Sequence, residues 1–188
     1  MLTKKEALDL LNEKMQNQNL RKHCWAVGAV MRAIAEKFGE DADKWEVVGI
    51  LHDGDYEKTK DTPEKHTILM HEWLKEKGAD EEILNAILSH NYAHTGNNPP
   101  ANKMEWALYC CDELTGLIIA VTLVRPEKKL SAVTVDNILG KWNEKSFAAG
   151  VDRKQIEMCE EKLGIPLKEF VGIALGAMQG ISSDLGLQ

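Results

Sequence analysis

Apolar residues recur at helical spacing along almost the whole chain, and runs alternating apolar with polar residues over strand length are nearly absent. That pattern restricts the chain to an all-α fold. Thr3 precedes a first helix with Ala7, Leu8, Leu10, Leu11 and Met15 on its apolar side, and Glu6 completes a capping box with it. A second helix runs from about Asn19 to Phe38 and stops at Gly39. A third starts near Asp41, passes through Trp45, Val47, Val48, Ile50 and Leu51, and ends near Gly54. The polar stretch Gly54–Pro63 reads as a loop. A fourth helix, Pro63–Lys77, has proline in its first turn and ends at Gly78. A fifth, about Asp80–Asn91, opens on three acidic residues that suit the helix dipole. The segment Thr95–Ala101 is a break, and a long apolar helix from about Asn102 to Val124 follows. Beyond the hinge at 125–129, three further helices are expected near Ser131–Lys145, Asp152–Leu163 and Pro166–Ser183. The implied layout is a functional core over residues 1–124 with a C-terminal helical extension, 125–188, packed on it.

Composition narrows the class. A chain of 188 residues, 44% hydrophobic and 28% charged, is long enough for a real core and too apolar for general disorder. Its net charge of −7 disfavours a general nucleic-acid or anionic-membrane surface. The longest apolar run, Leu117–Val124, broken only by Thr122, is shorter than a membrane span, and the first fifteen residues lack the features of a signal peptide. The expectation is a cytoplasmic protein with a small-molecule partner and no membrane partner. Cys24, Cys110, Cys111 and Cys159 form no CxxC pair and read as buried thiols in a reducing compartment.

The six histidines all lie between His23 and His94. A single helical histidine is ordinarily a surface residue or a satisfied core residue, and His-Asp dipeptides arise by chance. The context of His52-Asp53 is different. It follows the apolar stretch Val47, Val48, Ile50 and Leu51, where ionisable groups need partners. His23 near the start of the second helix, His52-Asp53 at the end of the third, His66, His90 at the end of the fifth and Asp112 in the long helix form an ordered series. Helices ending on the same side of a bundle can bring such groups together. Imidazole with carboxylate suits Mn, Fe, Co, Ni or Zn rather than magnesium. His23, His52, Asp53 and Asp112 can complete one site. His66 and His90 would supply a second ion, with Asp53 bridging, for one or two divalent ions in all.

The order H…HD…H…H…D resembles the HD-domain superfamily of metal-dependent phosphohydrolases. The matching pieces are His23, VVGILHD at Val47–Asp53, the stretch His66–Asn91, and ALYCCDELTGLI at Ala107–Ile118. The resemblance covers about Arg21 to Val124, and the stretch holding His66 and His90 is similar to the binuclear branch. It implies an all-α bundle and a hydrolase acting on a nucleotide or another small phosphoester. Asp53 would be the catalytic centre of the ligand set, and a metal-bound hydroxide would attack phosphorus. Many binuclear members carry a lysine three residues after the motif aspartate. That position here is Tyr56, and the nearest lysine is Lys58. The G-Y-P segment of members that signal through cyclic dinucleotides is absent.

Lys58, His94 and Arg125 are the candidate substrate contacts. His71 projects about 140° from His66 on a common helix and is set aside, and Glu113 reads as a helix-surface residue or an orienting neighbour of Asp112. A few HD proteins use a di-iron site to cleave C–C or C–P bonds with oxygen, and the ligand list does not separate that chemistry from hydrolysis. Degenerate, non-catalytic members usually lose ligands, whereas this chain keeps all six.

Overall fold

The computed structural model describes residues 2–188, and none of the described residues forms a strand. Helix α1 (Lys4–Lys14) is closed by the expected capping box, in which the Thr3 hydroxyl accepts from Glu6 N–H and the Glu6 carboxylate accepts from Thr3 N–H. Helix α2 (Gln18–Phe38) is capped by the Asn17 side chain and ends on Gly39 in the left-handed region, φ 69°. Asp41 caps α3 (Ala42–Leu51), whose residues from Trp45 to Leu51 are all buried.

The next segment departs from the sequence expectation. The stretch read as a loop contains a short helix, α4 (Tyr56–Thr59). The helix expected from Pro63 is instead a 3-10 turn over Pro63–Lys65. The chain is then extended at His66 and left-handed at Thr67 (φ 72°), and α5 (Ile68–Glu76) begins only after that break. Asp80 caps α6 (Glu81–His90), a short α7 (Tyr92–Thr95) ends at Gly96, and Asn102 caps α8 (Lys103–Val124).

Towards the C-terminus the expected helices are shorter. Ser131–Lys145 yields only α9 (Val135–Gly140). The next is α10 (Arg153–Met158), continued by a π-helical turn over Cys159–Leu163. The last expected helix divides into α11 (Leu167–Gly180) and α12 (Ser182–Leu185).

Helix α8 is the axis of the bundle. By length and composition it is apolar enough to cross a membrane, more so than its run Leu117–Val124 suggests alone. It is packed against α2, α6, α10 and α11, which is the setting of a central core helix. Helix α2 lies against α3 along most of its length and also contacts α11 and α12. Residues beyond Val124 therefore rest directly on the helices that carry His23 and Asp112.

The α2–α3 contact is backbone to backbone. A β-carbon at Gly49 would lie 2.7 Å from Gly28 Cα, and one at Gly28 would lie 3.2 Å from the Glu46 carbonyl oxygen. Only glycine at both positions permits that approach. It sets the separation of His23 on one helix from His52 on the other. All four cysteines are buried and free, and burial pushes their thiols up, Cys159 to about 12. A buried protonated thiol is a packing group, as expected.

Candidate metal centre

Five segments deliver six side chains to one place. His23 comes from α2, His52 from the end of α3 with Asp53 just beyond it, His66 from the extended link before α5, His90 from the end of α6, and Asp112 from the middle of α8. Neighbouring imidazole centroids are 5.2 Å apart for His23 and His52, 4.7 Å for His52 and His90, and 5.3 Å for His66 and His90.

Asp53 lies among them. Its Oδ1 is 3.2 Å from both His66 Nε2 and His90 Nε2. Its Oδ2 is 3.8 Å from His23 Nε2 and 3.7 Å from His52 Nε2. Asp112 Oδ1 is 2.9 Å from His23 Nε2 and 3.5 Å from His52 Nε2.

The other ring nitrogens explain the orientation of three of the four histidines. His52 Nδ1 lies 2.7 Å from the Gly49 carbonyl, so it donates there. His66 Nδ1 lies 2.8 Å from Asp55 Oδ1. His23 Nδ1 lies 3.2 Å from the Thr115 hydroxyl, which itself donates to the Asp112 carbonyl at 2.9 Å and so accepts from the ring. In each case Nδ1 is engaged as a donor and Nε2 is the atom turned to the carboxylates, the side on which an ion would bind. His90 is the exception, because its Nδ1 is buried without a partner.

These residues fit a metal ion. His52 Nε2 is buried with no hydrogen-bond partner, an expensive arrangement unless something else takes its lone pair. The ligand atoms of His23, His52 and Asp112 lie within 4.8 Å of one another, as do those of His52, Asp53 and His90. Either group could hold an ion.

The electrostatics follow from the packing. Burial alone would raise both carboxyls. The charges and hydrogen bonds of His52, His66 and His90 nevertheless hold Asp53 well below its ordinary range, and His23 and His52 do the same for Asp112. Burial alone would lower His23 and His66. The hydrogen bond that His23 donates to Asp112 raises it to about 9, and those that His66 donates to Asp53 and Asp55 raise it to about 9. His90 is lowered, by burial and by the nearby His52. Glu113 is raised to about 7 by burial and the adjacent Asp112 charge, although its carboxylate accepts from Asp152 N–H at 3.0 Å.

A cavity of about 300 Å³ opens on the cluster, with Tyr56, His94, Glu113 and Gln155 among its walls. His94 is thus brought to the cluster's opening. Lys58 is not: it is exposed and lies over the Trp73 ring, 4.8 Å from its centroid. Arg125 is not either. It follows α8, about 20 Å along the helix from Asp112 at 1.5 Å per residue, and is engaged by Asn137 at 3.0 Å and Glu127 at 3.6 Å. Lys58 is the lysine nearest the position that the resemblance implies, and Arg125 follows from the same resemblance; side-chain direction takes the first from this cavity and distance along α8 the second. His71 is also absent from it.

Three supporting residues escaped the sequence reading. Asp55, fully buried, accepts from His66 Nδ1 through one oxygen and from Met70 N–H through the other at 3.1 Å. Asn91, next to His90, donates to the Pro63 and His66 carbonyls at 2.9 and 3.2 Å. It thereby ties the end of α6 to the His66 segment. Thr115 is the third. The available signal was a buried-type setting: a second acidic residue two places after Asp53, and a hydroxyl one turn after Asp112 in an apolar helix.

Among curated proteins the chain has no match. Residues 20–147, more than half the chain, match the HD domain family. The matched span holds all six clustered residues and runs past the expected boundary at Val124. An all-α bundle with a buried His-Asp cluster able to hold a metal, matched over that span, places the chain in the HD domain family, whose members are mostly metal-dependent hydrolases.

Proposed function

We propose that the chain is a metal-dependent phosphohydrolase acting on small phosphoesters, with nucleotides among them. The observation that supports this most is the division of labour in Asp53, whose Oδ2 turns to His23 and His52 while Oδ1 turns to His66 and His90. His23, His52, Asp53 and Asp112 would hold one divalent ion. His66 and His90 would hold a second, with Asp53 shared. The donor set suits Mn, Fe, Co, Ni or Zn. Such ions supply Lewis acidity to phosphoryl oxygens and lower the pKa of a coordinated water.

The chain's own contribution is orientation and charge. Gly49, Asp55 and Thr115 hold three imidazoles by Nδ1 and turn each Nε2 to the carboxylates. No lysine or arginine lines the cavity among the described residues. The positive charge that a phosphate needs would therefore come from the ions. Tyr56 and His94 at the wall offer an O–H and an imidazole N–H to phosphoryl oxygens. A net charge of −7 agrees with a small substrate rather than a nucleic-acid or membrane surface.

The test is a panel of phosphomonoesters, phosphodiesters and nucleotides offered to the full chain loaded in turn with Mn, Fe, Co, Ni and Mg. Phosphate or alcohol release is expected with at least one pair and should vanish in Asp53→Ala. Equal release by Asp53→Ala refutes the reading. So does inertness to every ester by an iron-loaded protein that consumes oxygen.

A further inference from the structure

A second cavity, of about 480 Å³, lies beside the metal cluster between α2, α8 and the end of α12. His23 lines both this cavity and the one over the cluster. Thr115, which holds the His23 ring, lines it as well. Its walls are largely apolar, with Ala26, Ile119, Leu123, Leu185 and Leu187 among them. No aspartate or glutamate lines it, although the chain carries a net charge of −7. Its one charged lining residue besides His23 is Lys22, which makes no ion pair among the described residues.

The wall supplied by the C-terminal residues is fixed. Leu187 N–H donates to the Ser182 carbonyl at 2.8 Å, and the Leu187 carbonyl accepts from Leu130 N–H at 2.8 Å. Leu185 is buried, and a β-carbon at Gly186 would lie 2.9 Å from Lys22 Nζ, so the ammonium rests directly over this segment. Leu123 on the opposite wall is 49% exposed, a large apolar side chain left open at the cavity's edge. A concave, mostly apolar space with one free cation and a shared wall with a reactive cluster is a substrate subsite in form and size.

Resting on the phosphohydrolase reading above, we infer that this cavity receives the organic part of the substrate. That part is an uncharged, compact apolar group carried on a phosphomonoester. Lys22, in this cavity rather than over the cluster, adds positive charge beside the ester, and residues 185–187 set the preference. The C-terminal segment is then part of the binding site.

The experiment compares 1-naphthyl phosphate with methyl phosphate on the manganese-loaded full chain, by kcat/KM and by calorimetric titration. The naphthyl ester should be preferred by about tenfold or more, the scale of discrimination in an apolar pocket. Leu187→Asp and the surface variant Leu123→Asp should each lower that preference by about tenfold, with manganese content and melting temperature retained. Lys22→Met should weaken binding of both esters. Equal handling of the two esters by the wild type, or a preference that survives both aspartate variants, overturns the inference. If neither ester is hydrolysed with manganese, the phosphohydrolase reading is judged on the wider panel above, and the titrations decide the cavity. Naphthyl phosphate binding that is lost in Leu187→Asp supports it. Naphthyl phosphate binding no tighter than inorganic phosphate overturns it.

Discussion

Asp55 accepts the Nδ1 proton of His66 through one oxygen and the Met70 amide through the other, so it holds both the ring and the start of α5. Replacing it by asparagine keeps the shape and removes the charge that makes the ring a stronger ligand. Asp55→Asn should lower affinity for an ion on the His66–His90 side by about 10–100-fold, read as a selective loss in a calorimetric metal titration. Thr115→Val should act on the other side, through His23, by a comparable factor. An equal effect of both variants on every bound ion would contradict the assignment. The six clustered residues were readable in the sequence because their types and order carry the chemistry. Asp55, Asn91 and Thr115 were not, because each acts through one hydrogen bond whose geometry depends on distant backbone. Lys58 and Arg125 erred in the opposite sense: their charge suited the role, but the cation–π contact with Trp73 and the length of α8 take them elsewhere.

At the level of elements, the strongly capped helices were the legible ones. Thr3, Asp41, Asp80 and Asn102 are close to where the sequence reading started the corresponding helices, because a capping side chain satisfies free N–H groups locally. Pro63 misled, because a first-turn proline also starts a 3-10 turn. Nothing local announces that His66 must be extended and Thr67 left-handed to turn an imidazole towards Asp53. The α2–α3 contact was equally hidden, since Gly28 and Gly49 matter only together. Gly49→Ala should force these helices apart and destabilise the metal-free chain by about 1–3 kcal/mol, measured by denaturant melts. It should also weaken metal binding, since His23 and His52 ride on the two helices. A stable variant with unchanged affinity would show that the close approach does not set the cluster.

For the whole molecule, the all-α class was legible from periodicity, whereas the junction of the C-terminal helices with the site was not, because it rests on contacts across more than half the chain. The cluster also ties global stability to pH. In the metal-free chain, His23 and His66 are raised to about 9 from an ordinary 6.5. Their stabilisation is complete below pH 6.5 and is lost as the pH rises through about 9. The depressed carboxyls of Asp53 and Asp112 stabilise above the ordinary carboxylate range and lose that contribution as acid protonates them. Metal binding runs the other way, because His23 and His66 must each shed a proton first. Between pH 6.5 and 9, therefore, the metal-free melting temperature should fall while the rise produced by a divalent ion grows. An ion at a hundred times its Kd adds about 2.7 kcal/mol. A metal-induced rise independent of pH would contradict protonated imidazoles in the empty cluster.

The most direct measurement is the metal stoichiometry and affinity of the full chain and of Asp53→Ala, by titration with Mn or Co and elemental analysis of the dialysed protein. The account predicts up to two ions per chain in the wild type and loss of tight binding in the variant, since one carboxylate faces all four imidazoles. A wild type that holds no divalent ion, or an Asp53→Ala chain that holds its ions as tightly, would contradict it.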